Sequence, residues 1–148
     1  MDELYSLVDT TDISKPILTQ KGDLTMKHIS TDKAPAAIGP YSQAVACGDF
    51  LFTSGQIPLL PETGEVVGSC IKEQAEQTMK NMKALVESQN LTLDKVVKTT
   101  CFLADMDDFA AFNEVYAKYF TKSARSCIAA KTLPKNVLCE VEAIVSLK

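Results

Sequence analysis

The sequence predicts one α+β domain in which two helices pack on the same face of a single β-sheet. Three observations predict this fold: a length of 148 residues with 46% hydrophobic and 23% charged residues, a hydrophobic pattern that switches between strand and helix periodicity, and the resulting element order ββαβαββ. A chain of this length buries roughly 68–70% of the surface that its unfolded form exposes, so it needs no disulfide or metal to hold a core.

The first half of the domain has the pattern of a β-hairpin followed by a long helix. Residues 44–47 and 50–54 are strand-like and flank a Gly-Asp pair at 48–49, which favours a tight turn. A polar turn at 62–65 leads to Ser69, the expected N-cap of a helix of about 20 residues. One apolar stripe at helical spacing supports this helix: Ile71, Ala75, Met79, Met82, Leu85 and Val86.

The second half predicts a strand, a shorter helix and two final strands. Asn90 stands where a helix often ends in the left-handed conformation, and residues 96–103 alternate between two faces. Asp105 is the expected N-cap of the second helix, and the last strands are expected near 125–130 and 138–145. Because these strands are apolar on both faces, we expect another subunit to cover the free face of the sheet. The buried side of the second helix is predicted to hold Phe109, Phe112, Val115, Tyr116, Tyr119 and Phe120.

Residues 1–25 differ in composition from residues 26–148, which we predict to form the domain. They carry five acids, two lysines and no arginine, and they show no sustained periodicity. A mitochondrial presequence would be rich in arginine and poor in acids. We interpret the segment as an extension outside the core; a segment that covers a surface or a site is the alternative.

The charge and cysteine content argue against several classes of protein. A net charge of -4 and a pI near 5.0 disfavour binding of nucleic acid through bulk electrostatics. The five cysteines form no C-x-x-C pair, which is typical of reduced thiols in a reducing compartment. No stretch approaches the roughly 20 apolar residues of a membrane helix, and no secretory leader is apparent. We therefore expect a cytoplasmic protein that does not bind membranes. Nucleic acid is disfavoured as a partner, and a local basic groove is the alternative.

The chemistry available to this chain is limited by what its sequence lacks. The only histidine, His28, lies near the start of the domain, so a Ser-His-Asp triad or a histidine-based zinc site has no support. The glycines match neither G-x-G-x-x-G nor a P-loop, so we expect no nucleotide cofactor. Proton transfer would fall to carboxylates, thiols, tyrosines or lysines.

Two strand segments carry charged residues that suggest a site. Arg125 is the only arginine, and it shares a strand face with Cys127. A guanidinium pairs bidentately with a carboxylate, which suggests an anion clamp; a surface arginine paired with a glutamate is the alternative. Glu140 and Glu142 fall on the face opposite the apolar residues of the last strand. Burial would raise the pKa of such a carboxyl and suit it to acid–base work, whereas solvation at an edge is the alternative.

A series of motifs runs through the domain in a fixed order: A-P-A-A-I-G-P-Y-S-Q at 34–43, T-S-G-Q-I-P at 53–58, T-G-E at 63–65, V-K-T-T at 97–100, F-N-E-V-Y at 112–116, A-R-S-C at 124–127, L-P at 133–134 and E-V-E-A at 140–143. On these motifs the chain resembles the RidA family, also called YjgF or L-PSP, from about Met26 to Val145. The N-terminal 25 residues lie outside the resemblance.

The resemblance implies a chorismate-mutase-like subunit in a homotrimer, whose sheets form a central barrel with sites in the clefts between subunits. The implied reaction is hydrolysis of reactive 2-imino acids, related to 2-aminoacrylate and 2-aminocrotonate, to 2-oxo acids and ammonia without a cofactor. One departure concerns the connection before the proposed clamp. Only residues 121–124 separate Phe120 from Arg125, fewer than is usual in the family, which suggests a more open pocket or a shifted preference.

The resemblance also implies roles for individual residues. Arg125 corresponds to the clamp for the substrate carboxylate, and Glu140 to the acid that positions or activates water. Cys127 corresponds to a thiol among the catalytic residues of the site, which we interpret as a pocket wall and water holder. Further substrate-binding positions are implied at Tyr41, Ser54, Gly55 and Asn113.

Two other functional classes are alternatives to the deaminase. One is a ribonuclease or translation inhibitor, which would have to bind RNA despite a pI near 5.0. The other is a non-catalytic trimer that holds small carboxylates or acts as a chaperone. The sequence leaves the preferred imino acid open.

Overall fold

The fold is a six-stranded sheet with two α-helices on one face, an α+β arrangement that the sequence predicts with five of the six strands. The computed structural model describes residues 25–148. The strand order across the sheet is β1-β2-β3-β6-β4-β5, and all neighbouring pairs are antiparallel except β4 with β5, which is parallel. The elements are β1 Lys27–Ile29, β2 Ala44–Cys47, β3 Phe50–Thr53, α1 Ile71–Glu87, β4 Val96–Leu103, α2 Phe109–Tyr116, β5 Ala124–Ala129 and β6 Cys139–Ser146.

The structure adds one strand to the predicted order. β1 is three residues long and pairs with β2, placing Ile29 opposite Ala44. A strand this short shows too little alternation to be recognised in a sequence. Of the extension predicted at residues 1–25, residues 1–24 lie outside the described residues.

The predicted ends of the helices need three corrections. α1 has 17 residues and begins after Cys70, not Ser69; the backbone N–H of Ser69 instead donates to Glu73 Oε2 at 3.0 Å. The Asp105 side chain caps a short 3-10 turn that leads into α2, accepting from the N–H of Asp107 at 2.9 Å. α2 ends at Tyr116, so the aromatic residues at 119 and 120 lie in the turn that follows it.

The core lies between the sheet and the helices. The apolar stripe of α1 is fully buried against the sheet, as its spacing predicts, and α2 adds Phe112 and Val115 to the same cluster. Burial of a side chain such as Leu85 or Met79 contributes about 1.5–3 kcal/mol relative to its exposure. Neither helix of the described chain has the length and hydropathy that a bilayer span requires.

The other face of the sheet carries large apolar side chains in solvent. Phe50, Phe52 and Ile128 are 41%, 45% and 53% exposed, and their strand positions put them on the face away from the helices. Apolar side chains grouped on one face are typical of a surface that binds another protein. The expectation that a second subunit covers this face stays a prediction.

Two buried amides attach the surface loops to this framework. The Gln43 side chain accepts from the N–H of Thr31 and donates to backbone carbonyls at residues 31, 34 and 35. Asn81 on α1 donates to the carbonyls of Ile57 and Leu59 at 3.0 and 2.8 Å. Because a lost buried hydrogen bond costs more than an exposed one, these amides fix the loops that carry parts of the site.

Candidate active site

The site residues that the sequence predicts fall into two clusters. One, here called the acid half-site, consists of Tyr41, Ser54, Gly55 and Glu140. The other, here called the arginine half-site, consists of the predicted Asn113, Arg125 and Cys127 together with two rings that the sequence did not assign to the site, Phe109 and Tyr116.

The acid half-site is a cavity of about 330 Å³ at the end of the loop that Gln43 fixes. Among the described residues that line it, the polar side chains are those of Tyr41, Ser54 and Glu140, and only Glu140 is charged. The rest of the wall is apolar and comes from three loops: Ile38, Ile57 and Pro134.

Existing hydrogen bonds determine what the two hydroxyls can offer to a ligand. The Ser54 hydroxyl donates to the carbonyl of Ser42 at 2.6 Å, so only its lone pairs remain available. The Tyr41 hydroxyl accepts from the N–H of Ile38 at 3.1 Å, so its own proton remains available for donation. The cavity thus presents one hydroxyl acceptor and one hydroxyl donor beside a carboxyl group.

Gly55 is required by the close approach of Glu140. A Cβ atom at position 55 would lie 1.8 Å from Oε1 of Glu140 and 2.9 Å from its Cγ. Any side chain at this position therefore displaces the carboxyl group. This is the physical reason for a glycine here, since its backbone does not adopt a positive φ.

The environment of Glu140 favours its protonated form. Desolvation is the main cause that raises the pKa of this half-buried carboxyl, and the negative charge of Glu142 on the same strand face adds to it. A carboxyl group whose pKa is displaced toward neutrality exchanges protons more readily near neutral pH. Of the two glutamates that the sequence singled out, Glu140 is the half-buried one and Glu142 is exposed.

The arginine half-site holds a guanidinium that has no anionic partner among the described residues. The Cζ atom of Arg125 lies 4.6 Å from the centroid of the Tyr116 ring and 5.3 Å from that of Phe109. One of its nitrogens donates to Asn113 Oδ1 at 2.5 Å. Within residues 25–148, Arg125 forms no ion pair with a carboxylate. The surface ion pair that was the alternative interpretation is therefore absent from the described chain, and the guanidinium can receive an anion.

Cys127 lies beside this guanidinium but is not activated by it. Its strand register places it opposite Cys101 on the helix-facing side of the sheet, two residues after Arg125. Desolvation raises the pKa of the Cys127 thiol, and the charge of Arg125 only partly opposes this. A protonated thiol is a poor nucleophile, which fits a pocket wall.

The two half-sites lie on opposite faces of the sheet within one chain. Arg125 is in register with Thr99, a fully buried residue on the helix-facing side. Glu140 is in register with Phe102, which points the other way. β4 also lies between β5, which carries Arg125, and β6, which carries Glu140. The two residues are therefore about 10 Å apart across the sheet, in addition to facing opposite ways. The structure thus groups the predicted residues but does not bring Arg125 and Glu140 together.

Two aromatic residues of the arginine half-site were predicted only as core. Phe109, Asn113 and Tyr116 are spaced i, i+4 and i+7 along α2, so all three face β5. Aromatic residues at this spacing are typical of a buried helix face. The signal that distinguishes them is the polar Asn113 between them.

Comparisons with known proteins give one consistent result. A family model described as Endoribonuclease L-PSP matches residues 31–147. A RutC family protein of Pyrococcus horikoshii is 52% identical over 118 residues, which cover 78% of this chain and 94% of that protein. The 2-iminobutanoate/2-iminopropanoate deaminase of Escherichia coli is 48% identical over 123 residues, covering 80% and 95% of the two chains.

A solved structure extends the comparison to the fold. The crystal structure of E. coli TdcF with bound serine aligns with a TM-score of 0.77 and 44% identity, and it covers 81% of this chain and 98% of that chain. Similarity at this level extends over nearly the whole of the described domain.

The protonation of the thiols predicts an order of alkylation. At neutral pH we expect iodoacetamide to modify the exposed Cys70 first and Cys127 more slowly, because burial raises the pKa of Cys127. Cys101 and Cys139 should react only on unfolding, since desolvation raises their pKa to about 12. Mass spectrometry of time points measures the order. Alkylation of Cys127 before Cys70 would show a thiolate and contradict its role as a pocket wall.

Proposed function

The chain belongs to the Endoribonuclease L-PSP family, and from its two half-sites we propose that it hydrolyses reactive 2-imino acids to 2-oxo acids and ammonia. The observation that carries the proposal is the guanidinium of Arg125, held by two rings and an amide without a carboxylate partner in the described chain. A relative at 48% identity is named for this activity, and a related structure holds serine, an amino acid with the α-carboxylate that a guanidinium binds.

The proposed site forms between subunits of a homotrimer. The arginine half-site of one subunit meets the acid half-site of the next subunit. The same contact occurs at each interface of the closed trimeric ring. Two features support this arrangement: the half-sites lie on opposite faces of one chain, and Phe50, Phe52 and Ile128 are exposed on the face that carries Glu140. Burial of these three side chains would stabilise the assembly.

Binding in this site depends on a fixed cation. Arg125 of one subunit binds the substrate carboxylate through its fork of N–H groups, and Asn113 accepts a hydrogen bond from one nitrogen of the guanidinium. The apolar wall of Ile38, Ile57 and Pro134 receives the side chain of the imino acid. This places the C=N carbon beside Glu140 and converts water attack into a step between oriented groups.

Hydrolysis then needs only proton transfer. Glu140, in its ionised form, takes a proton from water while the water oxygen bonds to the imine carbon, and the C=N π electrons move to nitrogen. Glu140 donates this proton to the nitrogen, which completes the carbinolamine. The hydroxyl proton then passes to the nitrogen through Glu140, the C–N bond breaks as the C=O bond forms, and ammonia leaves. Glu140 is ionised again after the cycle. No residue has to form a covalent intermediate.

The proposal predicts that removal of the clamp abolishes turnover. We generate 2-iminobutanoate from threonine with a dehydratase and trap the remaining imine with semicarbazide. Wild type should deplete the trapped imine, Arg125→Ala should lower kcat/KM by about 100-fold because a charge-assisted fork is lost, and Arg125→Lys by about tenfold because the charge remains. Light scattering checks that the oligomer persists. Carboxylate binding without turnover in wild type would favour the non-catalytic alternative.

The intersubunit site predicts complementation between two inactive variants. Arg125→Ala subunits keep an intact acid half-site, and Glu140→Gln subunits keep an intact arginine half-site. When the two are co-expressed in equal amounts, random assembly should restore about one quarter of the wild-type sites. Each variant alone is the control. Mixed trimers that stay inactive would show that both residues act within one chain.

The causes of the raised pKa of Glu140 predict the pH profile. If Glu140 is the base, kcat/KM rises with pH as Glu140 ionises. The midpoint of this rising limb lies at a higher pH than the pKa of an ordinary glutamate. Removal of the neighbouring negative charge by Glu142→Gln lowers the pKa of Glu140, so the limb should move to lower pH. Glu62→Gln, at an exposed turn, serves as the matched control and should not move it. A limb that is unchanged by Glu140→Gln would assign the base to another group.

A further inference from the structure

We propose that Tyr116 is the positioning residue of the carboxylate clamp: its ring fixes the guanidinium of Arg125, and its hydroxyl anchors that ring to both flanks of the clamp. The inference rests on the proposed function, because it concerns how the site holds the substrate carboxylate. It concerns a residue that both the helix pattern and the core packing otherwise explain as simple burial.

The Tyr116 ring is the nearer of the two rings on the guanidinium. Its centroid lies 4.6 Å from Cζ of Arg125, against 5.3 Å for Phe109. A cation is attracted to the face of an aromatic ring at this distance, and the attraction depends on the ring staying in place under the charge. Tyr116 also packs between two other rings in tilted contacts, with centroids 5.9 Å from Phe112 and 5.0 Å from Phe120.

The hydroxyl of Tyr116 ties the ring to the segments around Arg125. It lies 2.7 Å from Oγ1 of Thr99 and 3.3 Å from Oγ of Ser123. Thr99 is fully buried on β4 and is the direct register partner of Arg125. Ser123 belongs to the short connection between α2 and β5 and lies two residues before Arg125. One hydroxyl therefore holds the ring against the strand beside the clamp and the connection that leads into it.

This anchoring matters because an arginine side chain is long and has many rotamers. Contacts that restrict it before the ligand arrives reduce the entropy lost on binding and so increase affinity. Asn113 accepts from one terminal nitrogen and the two rings contact the guanidinium, so the N–H groups that Asn113 does not use remain for the anion. A ring free to tilt would widen the range of guanidinium positions and weaken binding of the carboxylate.

The neighbouring tyrosine provides a matched comparison. The hydroxyl of Tyr119, three residues later, donates to Glu76 on α1. Tyr119 makes no ring contact with Arg125. Removal of its hydroxyl is the same chemical change at a nearby half-buried position, without the connection to the clamp.

The experiment measures binding of 2-oxobutanoate, the product of the proposed reaction, by isothermal titration calorimetry on the intact oligomer. The variants are Tyr116→Phe, Thr99→Val, Tyr116→Leu and the control Tyr119→Phe. We expect Kd to rise about threefold in Tyr116→Phe and in Thr99→Val, where only the anchor is lost, and about tenfold in Tyr116→Leu, where the ring face is lost too. Tyr119→Phe should match wild type, and the stoichiometry should stay constant in every variant.

The outcomes separate positioning from a purely structural role. A structural role would lower the number of binding sites at constant Kd, since misfolded subunits bind nothing; that result would overturn the proposal. An unchanged Kd in both Tyr116→Phe and Thr99→Val would also overturn it. The same holds if Kd rises as much in the control Tyr119→Phe as in Tyr116→Phe. If wild type binds 2-oxobutanoate but does not hydrolyse imines, the proposed function fails while the Kd comparison still decides this inference. If wild type binds no carboxylate, both fail.

Discussion

The alternation of side chains across β4, β5 and β6 is the constraint on which the site depends. Register places Arg125 beside Thr99 on the helix-facing side and Glu140 beside Phe102 on the other. Backbone hydrogen bonds fix this parity, and no side-chain rotation changes it. A slip of one residue would exchange the faces, burying Glu140 in the core and exposing Cys139 and Val141. The core therefore stabilises the same register that presents the two charged groups separately.

The two half-sites contain groups whose arrangement opposes stability. Glu140 is half-buried beside a second carboxylate, Gly55 has no side chain to pack, and Arg125 has no acid opposite it in the described chain. Groups that lower stability in this way persist when the rest of the structure is stable enough to hold them in place. Here the surroundings are rigid: the helices bury a continuous apolar cluster, and the amides of Gln43 and Asn81 hold the loops.

Packing also explains why residues with the same pattern have different roles. Phe112 and Tyr116 are both apolar in the helical pattern, and both are buried. Phe112 only fills the core, whereas Tyr116 carries a hydroxyl that meets Thr99 and a ring face that meets Arg125. The two residues lie four positions apart on the same face of α2. Their different roles therefore arise from the strand residues that each of them contacts. Tyr41 and Ser54 illustrate the same point, because their hydrogen bonds to Ile38 and Ser42 decide which can donate and which can accept.

Consecutive residues by themselves determined much of this protein. The strand at 96–103 lies where its alternation predicts, and the strand at 44–47 lies where the Gly-Asp turn predicts. The solitary Arg125 already suggested an anion clamp. These features are encoded locally, in periods of two or 3.6 residues and in the chemistry of one side chain. Only the tertiary structure decided that β1 joins the sheet, that α2 ends at Tyr116, and that Arg125 and Glu140 face opposite ways. Each of these depends on register between segments far apart in the chain, which packing selects and no local pattern contains.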